Sequence, residues 1–171
     1  MSSTEHSLYS SYREMLLEHL FAGEVMRNVW LSGTRRLEIL KPKVDDGGYD
    51  LVLEARDVVR HVQLKATFRG STVNRFNVHT ALGNKPSGCV ICLKFDPGTL
   101  ELGPFHWFGA APGERLPSLD SFATAKHTKG NAQGVKHERP CLRVVPLSQF
   151  QVEASISGVV ERLFGPCRAN G

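Results

Sequence analysis

Residues 48–67, GYDLVLEARDVVRHVQLKAT, alternate apolar and polar side chains on either side of an Arg-Asp pair. Alternation with a period of two is typical of half-buried strands. The segment therefore predicts strands over about 49–55 and 58–67, joined by a tight turn at Arg56 and Asp57. Such a hairpin constrains the fold strongly, because a shift of its register by one residue would turn every side chain to the other face.

The predicted register gathers three polar side chains on one face of the hairpin. It sets Asp50 opposite Gln63, and the alternation places Lys65 on the same face. The other face is almost purely apolar, apart from Arg60, and is expected to pack into the core. Directly opposed residues have Cβ atoms about 4.5–5.5 Å apart, and a diagonal pair such as Asp50 and Lys65 is about 7–8 Å apart. An acid, an amide and an amine thus converge on a patch the size of one hydrated cation.

Periodic patterns before and after the hairpin predict further helices and strands. Residues 9–30 predict a long amphipathic helix. Its main apolar stripe is expected to hold Tyr9, Tyr12, Leu16, Leu20 and Gly23, widened by Leu17, Phe21 and Val25. Further strands are expected at about 36–40, 89–96, 104–110 and 141–147. Residues 111–140 carry little periodicity and are expected to form a loop.

The last amphipathic pattern of the chain predicts a final helix, with Ser155 as its N-cap and Gly165 as its stop. This order of elements predicts an α/β fold of the mixed α+β kind, with a central, mainly mixed β-sheet flanked by helices. The sequence shows no internal repeat and no linker, so residues 1–171 are expected to form a single domain.

The composition is that of an ordinary globular protein, with 41% hydrophobic and 22% charged residues. The formal net charge of +4 is compatible with a polyanionic partner but does not demand one. No stretch approaches the roughly 18 apolar residues that span a bilayer, and the first residues lack the layout of a signal peptide. A cytoplasmic location without a membrane partner is expected, and a homodimer is left open.

Two of the four cysteines, Cys89 and Cys92, lie in CVICLKF, which has the character of a buried strand. Residues three apart on a strand point to opposite faces, so this pair is not expected to hold one metal ion. No second closely spaced Cys/His pair completes a ligand set, and free core cysteines are the expected outcome.

The hairpin and the helix before it resemble the PD-(D/E)xK nuclease superfamily. In that superfamily an Asp lies at the end or opening of one strand, (D/E)-x-K lies on the next, and a Glu of the first helix often joins them. Here Asp50, the Gln63–Lys65 triplet and a Glu-bearing helix match that pattern. The resemblance covers residues 9–67 well and the rest in outline. It implies a restriction-endonuclease-like core of helix, β-meander, helix and strand.

The resemblance implies a catalytic centre made of Asp50, Gln63, Lys65 and Glu18. It implies a Mg²⁺ or Mn²⁺ ion held by Asp50, Gln63, the backbone carbonyl of Leu64 and Glu18. Mg²⁺ prefers oxygen ligands and uses one or two carboxylates while keeping waters and phosphate oxygens. Lys65 would orient the attacking water or stabilise charge that develops on the scissile phosphate. Glu14 and Glu24 remain alternatives to Glu18 as the helix Glu.

Two positions depart from the pattern of the superfamily. Tyr49 stands where a Pro precedes the Asp, and Gln63 stands where a carboxylate precedes the Lys. Some members of the superfamily carry Q-x-K, so the amide does not exclude activity. A site with one negative charge fewer should nevertheless bind Mg²⁺ more weakly, unless Glu18 compensates.

Basic residues outside the hairpin are candidates for contact with a DNA backbone, namely Arg69, Arg75, Lys126, Lys129, Lys136 and Arg139. Four of these lie in KHTKGNAQGVKHER, residues 126–139, where interleaved Gly and Asn would let backbone N–H groups approach phosphates. Each neutralised phosphate releases counterions and adds salt dependence. A solvated loop without a partner is the alternative. No zinc-finger, helix-turn-helix or RNP pattern occurs, so sequence-specific recognition is not predicted.

The leading functional hypothesis is a Mg²⁺-dependent endonuclease that hydrolyses DNA phosphodiester bonds. The first alternative is a catalytically inactive nucleic-acid-binding or protein-interaction module that retains the nuclease fold. The second alternative is a small structural domain, in which Asp50 and Lys65 form a surface ion pair of about 0–1 kcal/mol.

Overall fold

The computed structural model describes residues 9–44, 46–127 and 136–167, and within these ranges the chain mixes helices and strands. The helices are α1 (Ser10–Leu31) and α2 (Ile156–Phe164). The strands are β1 (Glu38–Leu40), β2 (Leu51–Ala55), β3 (Val58–Phe68), β4 (Arg75–His79), β5 (Gly88–Phe95), β6 (Leu102–Gly109), β7 (Thr124–Lys126), β8 (Glu138–Pro146) and β9 (Gln151–Glu153). Two 3-10 turns lie at Thr80–Asn84 and Leu147–Gln149.

The strands form two sheets. A six-stranded sheet has the order β1-β2-β3-β5-β6-β9, and a three-stranded sheet has the order β4-β8-β7. Strands β3 and β5 are parallel, whereas the other neighbours of the six-stranded sheet are antiparallel, so the sheet is mixed. The prediction of a mixed α/β fold is confirmed. The connection from β3 to β5 carries β4 and a 3-10 turn in place of a full α-helix.

The predicted hairpin register is confirmed. Ala55 pairs with Val58, and the ladder continues to Leu51 opposite Val62. Arg56 and Asp57 have φ values of 54° and 61°, so both turn residues adopt the left-handed conformation of a type I′ turn. That turn usually contains Asn-Gly, because other residues are strained at positive φ.

The side chain of Arg56 ties this turn to the neighbouring elements. It donates hydrogen bonds to Thr34 Oγ1 at 2.9 Å, to Ser32 Oγ at 2.7 Å and to the Gly165 carbonyl at 2.7 Å. These three bonds offset the strain of the left-handed backbone and explain why a turn without Asn-Gly forms at the predicted place.

Helix α1 buries a different stripe from the main stripe predicted. Tyr12 is 63% exposed, and Tyr9, Leu20 and Gly23 are also exposed. The buried residues are Leu17, Phe21, Val25 and Val29. The first three of these were expected only to widen the stripe. The row repeats every four residues and carries no hydroxyl, so it packs on the sheet without leaving a polar atom unpaired.

Hydrophobic clusters lie on both faces of the six-stranded sheet. The first joins the sheet to the two helices and contains Cys89, Ile91 and Leu93, whereas the second faces the three-stranded sheet and contains Val90 and Cys92. The two cysteines therefore point to opposite faces, as predicted. Burial raises the pKa of each of these two thiols to about 12, so they remain protonated core side chains.

Arg60 is the polar exception on the helix-facing side of the sheet, where it is fully buried. It donates hydrogen bonds to the carbonyls of Leu163 and Arg162, each at 2.7 Å, and to that of Ala110 at 3.1 Å. Its guanidinium carbon lies 5.3 Å from the Trp107 ring centre. A cation at the C-terminal end of α2 is favourable, because the last carbonyls of a helix carry partial negative charge.

In the C-terminal part of the chain, the sequence predicts α2 correctly but does not predict β7 or the start of β8. Helix α2 begins where predicted, with the Gly158 N–H donating to Ser155 Oγ, and it ends at Gly165, where φ is 77°. The expectation of loop over 111–140 is wrong for β7 and the start of β8. Strand β7 has three residues, too few to show a period, and it depends on pairing with β8. Among the described residues, neither helix is both long and apolar enough to cross a membrane.

Candidate active site

Asp50 lies immediately before β2 and extends the hairpin ladder with its side chain. Its backbone N–H donates to the Val62 carbonyl at 2.8 Å, and its Oδ2 accepts the backbone N–H of Leu64 at 2.6 Å. The carboxylate thus occupies the position that another strand residue would take. A charged acceptor makes a strong hydrogen bond here and fixes the carboxylate beside β3.

Strand β3 continues past this point to Phe68, paired with β5 on its other side. Within the described ranges, β2 pairs with β3 only as far as Val62. The N–H and C=O groups of one strand residue point to the same side. The Leu64 carbonyl therefore points towards the same edge as the Asp50 carboxylate, beyond the end of β2. This is the backbone oxygen that the sequence resemblance assigned to a metal.

A cleft of about 690 Å³ lies between α1 and this edge of β3, and is called the α1–β3 cleft. Its charged lining residues are Arg13, Glu14, Glu18, Lys41, Asp50 and Lys65. The cleft therefore combines three carboxylates with three cations. Asp50, Lys65 and Glu18, which the sequence grouped together, all line it.

Glu18 is the best placed of the three candidate helix glutamates. Its side chain is 20% exposed and forms an ion pair with Lys41 Nζ at 2.5 Å. Glu14 also lines the cleft, with an exposed position on α1. Glu24 lies outside the cleft lining and pairs with Arg27 at 2.8 Å. The geometry thus leaves Glu18 and Glu14 as acidic groups that α1 contributes.

Gln63 is placed away from the cleft lining. It is 7% exposed, and its Oε1 accepts the backbone N–H of His79 at 3.3 Å. A buried amide needs partners within the protein, and this bond ties β3 to the end of β4. Gln63 is therefore not among the residues that line the cleft with Asp50 and Lys65, although the hairpin register itself is as predicted.

The donors at this edge match one class of metal ion. Among the residues described, no group of three or more His, Cys, Asp or Glu side chains is arranged to hold a metal. Mg²⁺ needs only one or two carboxylates and keeps several waters. Asp50, Glu18 and the Leu64 carbonyl supply oxygen donors of that kind.

Several lining residues were not singled out in the sequence, among them Thr67, Lys41 and Arg13. Thr67 follows Lys65 by two residues and so shares its face of β3, which the period-two pattern could have revealed. Lys41 and Arg13 reach the cleft only through tertiary packing. The Arg13 guanidinium carbon lies 5.8 Å from the Phe95 ring centre, which places a cation over the aromatic end of β5.

A second cleft of about 750 Å³ adjoins the first and is called the basic cleft. Its lining residues are Lys65, Arg75, Phe76, Asn77, Thr124, Lys126, His127, Lys136 and Val144. Lys65 and Phe76 line both clefts. Three of the predicted DNA-contacting residues, Arg75, Lys126 and Lys136, therefore converge beside Lys65.

Two other predicted DNA-contacting residues, Arg69 and Arg139, lie elsewhere. Arg69 donates to the Gly103 carbonyl at 2.7 Å and pairs with Glu101 at 3.4 Å, so its guanidinium ties β3 to the start of β6. Arg139 is exposed on β8 and is not part of the basic cleft lining. Lys129 lies outside the described residues.

Comparisons of this chain with protein-family models, with curated proteins and with solved structures found no match.

Proposed function

We propose that this protein is a Mg²⁺-dependent nuclease of the PD-(D/E)xK kind that hydrolyses DNA phosphodiester bonds in the α1–β3 cleft. One observation carries the proposal. Asp50, Glu18 and Lys65 come from three different elements and line a single cleft, and a hydrogen bond holds the Asp50 carboxylate against the strand that carries Lys65. Oxygen donors beside a lysine are what metal-assisted phosphodiester hydrolysis requires.

In this proposal Asp50, Glu18 and the Leu64 carbonyl hold the ion, which is Mg²⁺ or Mn²⁺. The bound ion would polarise the phosphate and lower the pKa of a coordinated water. The chain itself positions the donors, since the bond to the Leu64 N–H keeps the Asp50 carboxylate in one orientation. Preorganised ligands of this kind need no rearrangement at the moment of reaction.

Lys65 supplies the cation that faces the reacting phosphate. An ammonium group in a partly enclosed cleft stabilises negative charge better than it would in water, because screening by solvent is reduced there. Lys65 is half-buried and lines both clefts, so a phosphate could reach it from either side. Its role is to orient the attacking water or to stabilise the charge that develops on the phosphate.

A plasmid-nicking assay with Mg²⁺ or Mn²⁺ tests the proposal. Asp50→Asn keeps an oxygen that can accept the Leu64 N–H but removes the charge, and Lys65→Met keeps the length of the side chain without its ammonium group. We expect each variant to reduce nicking by about 10²-fold or more. Lys43→Gln, an exposed position outside both cleft linings, is the matched control and should nick like the wild type. Equal nicking by all four proteins would contradict the site assignment.

A second candidate, a nucleic-acid-binding module without cleavage, is favoured by one observation. Gln63 is bonded to the His79 backbone, and Glu18 is engaged by Lys41, so few donors stand ready for a metal. A wild-type protein that does not nick at any Mg²⁺ or Mn²⁺ concentration, yet binds DNA, would favour this candidate over the nuclease.

A further inference from the structure

The two clefts that meet at Lys65 differ sharply in charge. The α1–β3 cleft balances Glu14, Glu18 and Asp50 with an equal number of cations. The basic cleft is lined by four cations, Lys65, Arg75, Lys126 and Lys136, and its described lining contains no Asp or Glu. The whole chain has 21 Lys and Arg residues against 17 Asp and Glu, a formal net charge of +4.

The three-stranded sheet builds most of this basic cleft. Arg75 lies on β4, Lys126 on β7 and Lys136 just before β8. In the register of the β7–β8 ladder, Lys126 lies opposite Glu138. Arg75 lies opposite Pro146 in the β4–β8 ladder, and Lys136 lies outside the ladders, so neither has an acidic residue opposite it in the register.

Most of the neutral lining residues favour contact with a backbone over contact with unstacked bases, and His127 is the exposed aromatic side chain among them. Phe76 is 9% exposed, and its ring packs at 6.0 Å from that of Phe150. It is therefore not available as a surface on which bases could stack. Proteins that hold single strands rely on such aromatic stacking, whereas lysine, arginine and small polar side chains contact phosphates and sugars. Asn77 and Thr124 are side chains of the latter kind.

From these observations we infer that the basic cleft is a metal-independent site for the phosphate backbone of duplex DNA, on one side of the cleavage centre. The inference rests on the proposed function for the identity of the polyanion. Lys65 joins the two sites, so a backbone bound along the three-stranded sheet leads directly to the α1–β3 cleft. Binding depends on phosphates rather than on base sequence.

Fluorescence anisotropy in EDTA tests this inference, with labelled duplexes of two unrelated sequences and with the single strand of one of them. The logarithm of the affinity should fall with the logarithm of the salt concentration with a slope of about −3.6, if four phosphates are neutralised. Both duplexes should bind alike, and the single strand should bind more weakly.

Arg75→Gln and Lys136→Gln provide the decisive variants, because both positions are exposed and both line the cleft. Each single variant should make the slope less steep by about 0.9, and the double variant should show a slope of about −1.8. Lys43→Gln removes the same charge outside the cleft and should keep the wild-type slope. Unfolding midpoints equal to that of the wild type establish that the variants are folded.

The outcomes separate the two proposals. If the wild type does not cut but binds duplex with this slope, the nuclease proposal fails and the basic cleft stands. If the wild type cuts while the double variant binds with the same slope as Lys43→Gln, the basic cleft assignment is overturned and the nuclease stands. Stronger binding of the single strand than of either duplex also overturns it.

Discussion

The Asp50 carboxylate accepts the backbone N–H of Leu64 at 2.6 Å and so ends the β2–β3 ladder with a side chain. This hydrogen bond gives Asp50 a structural role that can be tested separately from its proposed role in catalysis. The acceptor oxygen stabilises the fold, whereas we propose that the negative charge binds the metal ion. Two substitutions at this position should therefore behave differently.

Asp50→Ala is expected to lower the free energy of unfolding by about 1–3 kcal/mol, because the Leu64 N–H loses a charged acceptor. Asp50→Asn should lower it by much less, since the amide oxygen can still accept this hydrogen bond. Both variants should lose nicking activity. Urea unfolding and the nicking assay measure the two effects separately. Equal stability of the two variants would show that the hydrogen bond contributes little.

Lys41→Met is expected to lower the Mg²⁺ concentration needed for half-maximal nicking. Lys41 forms an ion pair with Glu18 and so competes with a cation for the same carboxylate. Because both side chains are partly in contact with solvent, the loss of the pair should change stability by less than about 1 kcal/mol. A Mg²⁺ titration of nicking checks this, with Lys43→Met as the control. An unchanged or higher Mg²⁺ requirement would argue against a metal at Glu18.

Arg60→Met is expected to destabilise the protein by about 3 kcal/mol, independently of any activity. The substitution preserves most of the packing volume but leaves buried carbonyls at the end of α2 without their donors. Guanidinium chloride unfolding measures the change. Arg36→Met removes an exposed guanidinium that pairs with Glu38, and it should leave the unfolding midpoint close to that of the wild type. Equal midpoints for the two variants would contradict a structural role for Arg60.

His106 should make the protein less stable in mild acid. It is 7% exposed, and neither ring nitrogen has a hydrogen-bond partner among the described residues. Burial, and to a lesser extent the nearby Lys94 ammonium, lowers the pKa of His106 below its ordinary value of 6.5. As the pH falls below about 6.5, the unfolded chain therefore binds a proton that the folded chain resists, and the unfolding free energy decreases.

Urea unfolding at a series of pH values between about 8 and 5 measures this effect. His106→Leu should flatten the dependence over that interval, because it removes the titrating group. His19→Leu, on the exposed side of α1, controls for the exchange of an imidazole for an aliphatic side chain. If the pH dependence of the His106→Leu protein equals that of the wild type, another group causes it.

The sequence predicted those parts of the fold that local pattern determines. The hairpin register follows from a period of two on either side of Arg56 and Asp57, and α2 follows from its apolar spacing and the Ser155 cap. The buried row of α1 was harder to choose, because two apolar rows lie side by side on that helix. Only the shape of the sheet decides between Leu17 and Tyr12.

The candidate site was predictable only in part, because some of its contacts depend on tertiary packing rather than on local pattern. Asp50 and Lys65 belong to one hairpin, so their common face follows from the sequence. The Gln63 side chain accepts a hydrogen bond from the backbone N–H of His79, which lies in the connection between β3 and β5. No local sequence pattern indicates that bond. The meeting of Arg75 with Lys136 at the basic cleft likewise depends on how β4 and β8 pair.

The end of the β2–β3 ladder also bears on whether a second chain could pair with β3. An exposed strand edge with unpaired N–H and C=O groups is a template on which a second chain can add a strand. Here the Asp50 carboxylate covers the first such N–H group, and Lys65 and Lys41 place charge beside the rest of that edge. Asp50 and Lys65, which we propose for catalysis, would therefore also hinder a neighbouring molecule from adding a strand at this edge.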